Sequence, residues 1–206
     1  MPVELKGATS GGVTIVAPAV AGTNTLTAPA KTGTLITSAD SGTVTPTMMT
    51  QPLTAGTAVA TTSGTTADFT SVPSWVKRIT VIFSGVSANA TANFSIVLGS
   101  TGSFETSGYS SGAAYAQSGN LAGAANLTSG LIVANGAAAA DILSGNIIIT
   151  NVSGNTWIAS GVISPTTSAY VWMSGGTKTL SATLDRVRVT ISAGAFDAGS
   201  VNILYE

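Results

Sequence analysis

Apolar side chains recur at every second position of this chain, in short runs closed by Gly, Pro or Asn, and this period constrains its fold more than any other feature. In Asp185–Ser192, Val187, Val189 and Ile191 share one face while Arg186 and Arg188 share the other. Arg78–Ser84 repeats the pattern with Ile79, Val81 and Phe83, and Val201–Glu206 repeats it again. Phe94–Leu98 reads as a further strand bounded by Gly99. Gly145–Val152 and Asn155–Val162 flank Ser153-Gly154-Asn155 and form an expected hairpin. With weaker candidates near Val59, Phe104, Leu131, Val171 and Leu180, the count reaches about eight to ten short strands at sandwich-like spacing. The only helix candidate is Ala137–Ile142, and Gly136 just before it argues against even one helical turn. The expected fold is all-β, with residues 56–206 forming a jelly-roll or Greek-key β-sandwich.

Ahead of residue 56 the texture changes. Five of the seven prolines fall at or before Pro52, and 19 threonines precede or include Thr70. Gly12–Pro18, Gly22–Pro29 and Thr32–Thr37 are strands of three to five residues, each stopped by Pro or Gly. Strands so short cannot alone offset a backbone entropy of about 1–2 kcal/mol per residue. Residues 1–55 are therefore expected as an extended N-terminal β-arm that packs on its own body, on sister chains or on a partner. Val13, Ile15, Leu26 and Leu35 supply its apolar face and are the candidate inter-chain or particle contacts.

Composition narrows the function. Charged residues make up 7% of the chain, against about a quarter in ordinary soluble domains. Seven Lys and Arg against eight Asp and Glu leave no basic face to displace counterions from phosphates, so no nucleic-acid partner is expected. A polybasic membrane anchor is excluded on the same ground. The chain contains no His and no Cys, which removes Ser-His and Cys-His catalytic pairs, thiolate chemistry and Cys/His zinc sites. Gly108-Tyr109-Ser110-Ser111-Gly112 matches a nucleophile elbow in letters only, and without a His base it reads as a turn. The eight acids, Glu4, Asp40, Asp68, Glu105, Asp141, Asp185, Asp197 and Glu206, share no short motif. Neither a carboxylate-pair glycosidase nor a calcium cage is expected, and Asp185 and Asp197 read as turn caps. No enzyme activity, metal or cofactor follows from these residues. The longest apolar stretch, Leu131–Leu143, is interrupted by Asn135, Gly136 and Asp141 and is too short to span a bilayer. Met1–Lys6 lacks a basic-then-apolar leader, which predicts cytoplasmic synthesis.

Aromatic residues are the best functional handle. Trp75, Trp157, Trp172, Tyr109, Tyr115 and Tyr170 could stack on sugar faces. Trp75, just ahead of a strong strand, is expected in the core. Tyr109 and Tyr115 fall in the Gly/Ser/Ala-rich stretch 99–120, which reads as a loop with exposed side chains, and they are the candidate glycan contacts. Tyr170 and Trp172 alternate onto one face.

Residues 12–35, with Val-Thr-Ile-Val-Ala-Pro, Ala-Gly-Thr-Asn-Thr-Leu-Thr and Thr-Gly-Thr-Leu, resemble a segment of tailed-bacteriophage fibre and virion-surface proteins. Asp68–Thr80 and the ending Phe196–Glu206 resemble modules of the same proteins. The resemblance implies a trimeric, β-structured virion component made in the bacterial cytoplasm, either a short fibre or a capsid decoration or cement protein. Implied partners are further copies of the chain and a major capsid, tail or baseplate protein. A receptor-binding tail-fibre head that takes a host surface glycan is the alternative. A long fibre would carry a repetitive shaft, and this chain has none.

Overall fold

Every regular element that the computed structural model describes, across residues 3–6, 9, 11–15 and 51–206, is a β-strand. The chain divides into two units, Met1–Thr43 and Val44–Glu206. In the first, β1 (Val3–Lys6) pairs antiparallel with β2 (Gly12–Ile15), so that Val13 stands opposite Leu5 and Ile15 opposite Val3. Leu26 and Leu35 lie outside the described residues.

The second unit carries β3 (Thr54–Ala55), β4 (Val59–Ala60), β5 (Thr66–Thr70), β6 (Arg78–Ala88), β7 (Ala92–Ser100), β8 (Ser103–Phe104) and β9 (Tyr109–Gln117). These are followed by β10 (Asn120–Leu127), β11 (Leu131–Ala137), β12 (Leu143–Ser153), β13 (Thr156–Pro165), β14 (Tyr170–Thr179), β15 (Leu184–Ile191) and β16 (Phe196–Tyr205). The larger sheet runs β10-β9-β14-β13-β12-β6-β16-β3, with β4 also on β16. The smaller runs β11-β7-β15-β5, with β8 on β7. All pairings are antiparallel, and the two sheets form a β-sandwich. The hairpin around Gly154 is present, with Ser153 opposite Thr156.

Alternation places the core where the sequence puts it. Ile79, Val81 and Phe83 of β6 and Val187 and Val189 of β15 are buried, and Phe94 meets Phe196 at 6.1 Å. Each such side chain contributes about 1.5–3 kcal/mol on burial. Trp75 packs half-buried on this core, 6.0 Å from the Tyr205 ring.

One local expectation gives way, and the weak helix candidate proves to be a turn. The stretch 99–120 is not a loop, since β8 and β9 run through it. Its small residues allow a close sheet contact: a Cβ on Gly176 would lie 2.8 Å from the Ser110 carbonyl across the β9–β14 pair. At 137–142 a turn replaces any helix, because the Asp141 carboxylate accepts the Ala138 amide at 2.8 Å while the Asp141 amide donates back to the Ala138 carbonyl.

The outward face of the larger sheet is apolar. Ile82, Ile148, Val152, Ile158, Val162 and Met173 are all exposed there. The outward side of β15, by contrast, is charged: Arg188 grips Asp68 with two hydrogen bonds of 2.6 and 2.7 Å and lies 4.0 Å above the Phe104 ring.

Gly199 sits at a bulge where β16 slips register against β6, with φ at +86°. A Cβ there would collide with the Gly85 carbonyl, whereas Gly119, at φ +75°, has open space. Gly119→Ala should therefore cost about 1 kcal/mol of left-handed strain, and Gly199→Ala more than about 2 kcal/mol. Urea midpoints at constant slope measure both, and equal losses would show that the bulge tolerates a side chain.

Candidate functional site

Where β9 pairs with β14, Trp172 falls opposite Tyr115 and Tyr170 opposite Gln117. The period of two turns Tyr115, Tyr170 and Trp172 to the same side, and their rings meet at 5.3 to 5.8 Å in tilted and edge-on contacts. Such pairs contribute about 0.5–1.5 kcal/mol each beyond area burial. With Gln117 and Gly136 of β11, the three rings line a hollow of about 240 Å³.

Asp141 fixes one wall. Its buried carboxylate accepts hydrogen bonds from the Tyr170 hydroxyl at 2.5 Å, the Ala138 amide at 2.8 Å and the Ser168 hydroxyl at 3.0 Å. Burial, then the hydrogen bond to Asp141 and its charge, push the Tyr170 phenol up to about 12, so it remains a donor at neutral pH. Trp172 is 3% exposed, and its indole Nε1 finds no acceptor among the described residues. Leaving such a donor unmade costs about 1–3 kcal/mol. Apolar ring surfaces and the Gln117 amide suit the C–H face and hydroxyls of a neutral sugar. None of the five lining residues is cationic, and nothing among them would balance an anionic sugar.

Tyr109 does not belong to a surface. It is buried, its hydroxyl accepts the Leu98 amide at 2.8 Å and donates to the Leu98 carbonyl at 3.2 Å, and burial raises its phenol far above the ordinary range. As a glycan contact it is therefore corrected to a core tie, since the alternation of β9 points its odd-numbered residues inward. Tyr115, half-buried, does reach the hollow. Ser110 of the Gly-x-Ser-x-Gly letters is an exposed residue within β9, not at a strand-to-helix turn.

All six acidic side chains of residues 51–206 hold structural partners. Asp68 pairs with Arg188, Asp185 with Arg186 and the Gly102 amide, Asp197 with the Ser87 hydroxyl, and Glu206 with Arg78. Asp141 clamps Tyr170, as above. Glu105 takes the buried Lys178 ammonium at 2.6 Å together with the Ser100 and Ser181 hydroxyls and the Ser181 amide. Lys178 also donates to the Ser107 carbonyl at 3.0 Å and lies 5.2 Å from the Tyr109 ring. Among the described residues, no three His, Cys, Asp or Glu come together as a metal site.

Burial alone would raise the Glu105 carboxyl, but the hydrogen bonds from Lys178, Ser181 and Ser100 outweigh it and hold the group at about 2, below its ordinary 4.5. A depressed folded value means that this stabilisation is complete above 4.5 and disappears as the pH falls toward 2. Glu105→Gln should flatten that acid limb, and at neutral pH should cost about 3–5 kcal/mol by stranding the Lys178 charge. Urea titrations across pH check it; an unchanged acid limb would assign the dependence to another group. No protein-family model matches the chain, and no curated protein or solved structure is significantly similar to it.

Proposed function

We propose that this chain is a structural protein of a tailed-bacteriophage virion, assembled as a homotrimer, that decorates or cements the capsid or forms a short fibre. The observation that carries the reading is the engagement of every acid in residues 51–206 as a brace of the sandwich, which suits a mechanical role. The resemblance of residues 12–35, 68–80 and 196–206 to virion-surface proteins supplies the setting. In this reading the first 55 residues are the attachment arm, with Val13, Ile15, Leu26 and Leu35 contacting sister chains or a capsid, tail or baseplate protein, and the body is a jelly roll that projects from the particle. Apolar burial and main-chain pairing, not chemistry, hold it in place.

The aromatic hollow favours a second reading, a receptor-binding head that takes a neutral host glycan on Tyr115, Tyr170 and Trp172.

Immunogold labelling of purified virions with an antibody to residues 56–206 tests the first. Gold over the head means decoration, gold at the tail means a short fibre, and an unlabelled particle sinks the virion reading. For the second, a glycan array should show binding to neutral oligosaccharides that Gln117→Trp, which crowds the mouth from an exposed position, abolishes. A blank array removes it.

A further inference from the structure

We infer that the outward face of the larger sheet is turned toward a threefold axis and buried against two further copies of this chain. The inference rests on the homotrimer of the proposed function and assigns the surface that makes it.

Three rows cross this face in register. Met173 stands beside Val162, Val162 beside Asn146, and Asn146 beside Ile82. Gly175, Ser160, Ile148 and Thr80 form the next row, and Thr177, Ile158, Thr150 and Arg78 the third. Six of the eight exposed large hydrophobic side chains of the described residues belong to this one face, between 38% and 58% exposed. Arg78 is the one charge in the rows, at their end and paired with Glu206. Isolated exposed apolar residues need no explanation, but a contiguous sheet of them marks an association surface.

Area, charge and relief point to copies of the same chain. Ala114 and Gly112 of β9 and Asn202 and Leu204 of β16 extend the first two rows to six strands. Six strands about 4.8 Å apart, each contributing about nine residues at about 3.4 Å, present roughly 880 Å², and a stable association buries about 800 Å² on each partner. A face whose one charge, Arg78 at its end, is paired with Glu206 can meet itself with little like-charge repulsion. Large Ile148, Ile158 and Val162 alternate with small Ser160, Gly175 and Gly112, so that ridges on one copy have troughs to enter on another. Closure also fits. Three faces, each about 24 Å between its outermost strands, form a triangle whose sides lie about 7 Å from the axis, close to the half-spacing of about 5 Å between packed sheets. Side chains the length of Ile, Val and Met fill that distance. A closed ring leaves none of the face exposed, which an open array would not achieve.

Sedimentation equilibrium of the full chain and of Ile148→Asp/Val162→Asp tests the assignment. Wild type should run at three times 20.2 kDa, and the variant should fall threefold in mass with an unchanged far-ultraviolet spectrum. A variant that stays trimeric overturns the face and leaves the homotrimer standing. A monomeric wild type overturns both. Because the chain has no Cys, Ser160→Cys introduces a unique thiol that decides the matter if the aspartates prevent folding. In the trimer it should resist a maleimide until urea is added. Free labelling of the native trimer overturns the face. A shielded thiol in a monomer would mean that the chain's own residues cover it, and a shielded dimer would replace threefold with twofold closure; either overturns the proposal.

Discussion

Burial of one sheet against the other is the interaction from which the remaining geometry follows. Phe83, Phe94, Phe196, Ile79, Ile96 and Leu98 meet between the layers and are almost completely removed from water. A shift of one residue in any of these strands would turn its apolar set outward, so this burial fixes register as well as stability. Register in turn decides which residues become neighbours. Trp172 meets Tyr115, and Val162 meets Met173, because β14 is held at one position between β9 and β13.

The two outer faces are finished differently. On the smaller sheet, Arg186 and Arg188 flank Phe104 and pair with Asp185 and Asp68, a screened and hydrated surface. Ion pairs of this exposure contribute about 0–1 kcal/mol, so their main effect is on solubility and on discouraging misplaced strands. The larger sheet presents methyl and methylene groups instead. That asymmetry separates a side suited to water from a side suited to protein.

Much of the sandwich was legible in the chain. β6, β15 and the β12–β13 hairpin announce themselves because their signal is local: two-residue alternation and a Gly-containing turn. Residues 99–120 do not, because Gly112, Ala113 and Ala114 carry no apolar period, and only the pairing with Gly175 and Gly176 explains why small residues are needed there. The aromatic cluster depends on non-local pairing in the same way. Tyr170 and Trp172 could be placed on one face, but Tyr115 joins them only across a strand pair formed by residues more than fifty positions apart. Tyr109 and Tyr115 look alike in sequence; one ties down Leu98 and the other borders a hollow.

The position of β16 has a consequence for how the body is made. This strand lies between β6 and β3, yet it is synthesised after every other strand described. From β6 to β16 the ribosome adds roughly 110 residues, which at about 5–20 residues per second takes on the order of 5–20 s. Throughout that interval Ile79, Val81 and Phe83 belong to a strand with an open edge. Closing the larger sheet therefore waits on β16, and until that strand arrives the open edge of β6 must be kept from pairing with another nascent chain.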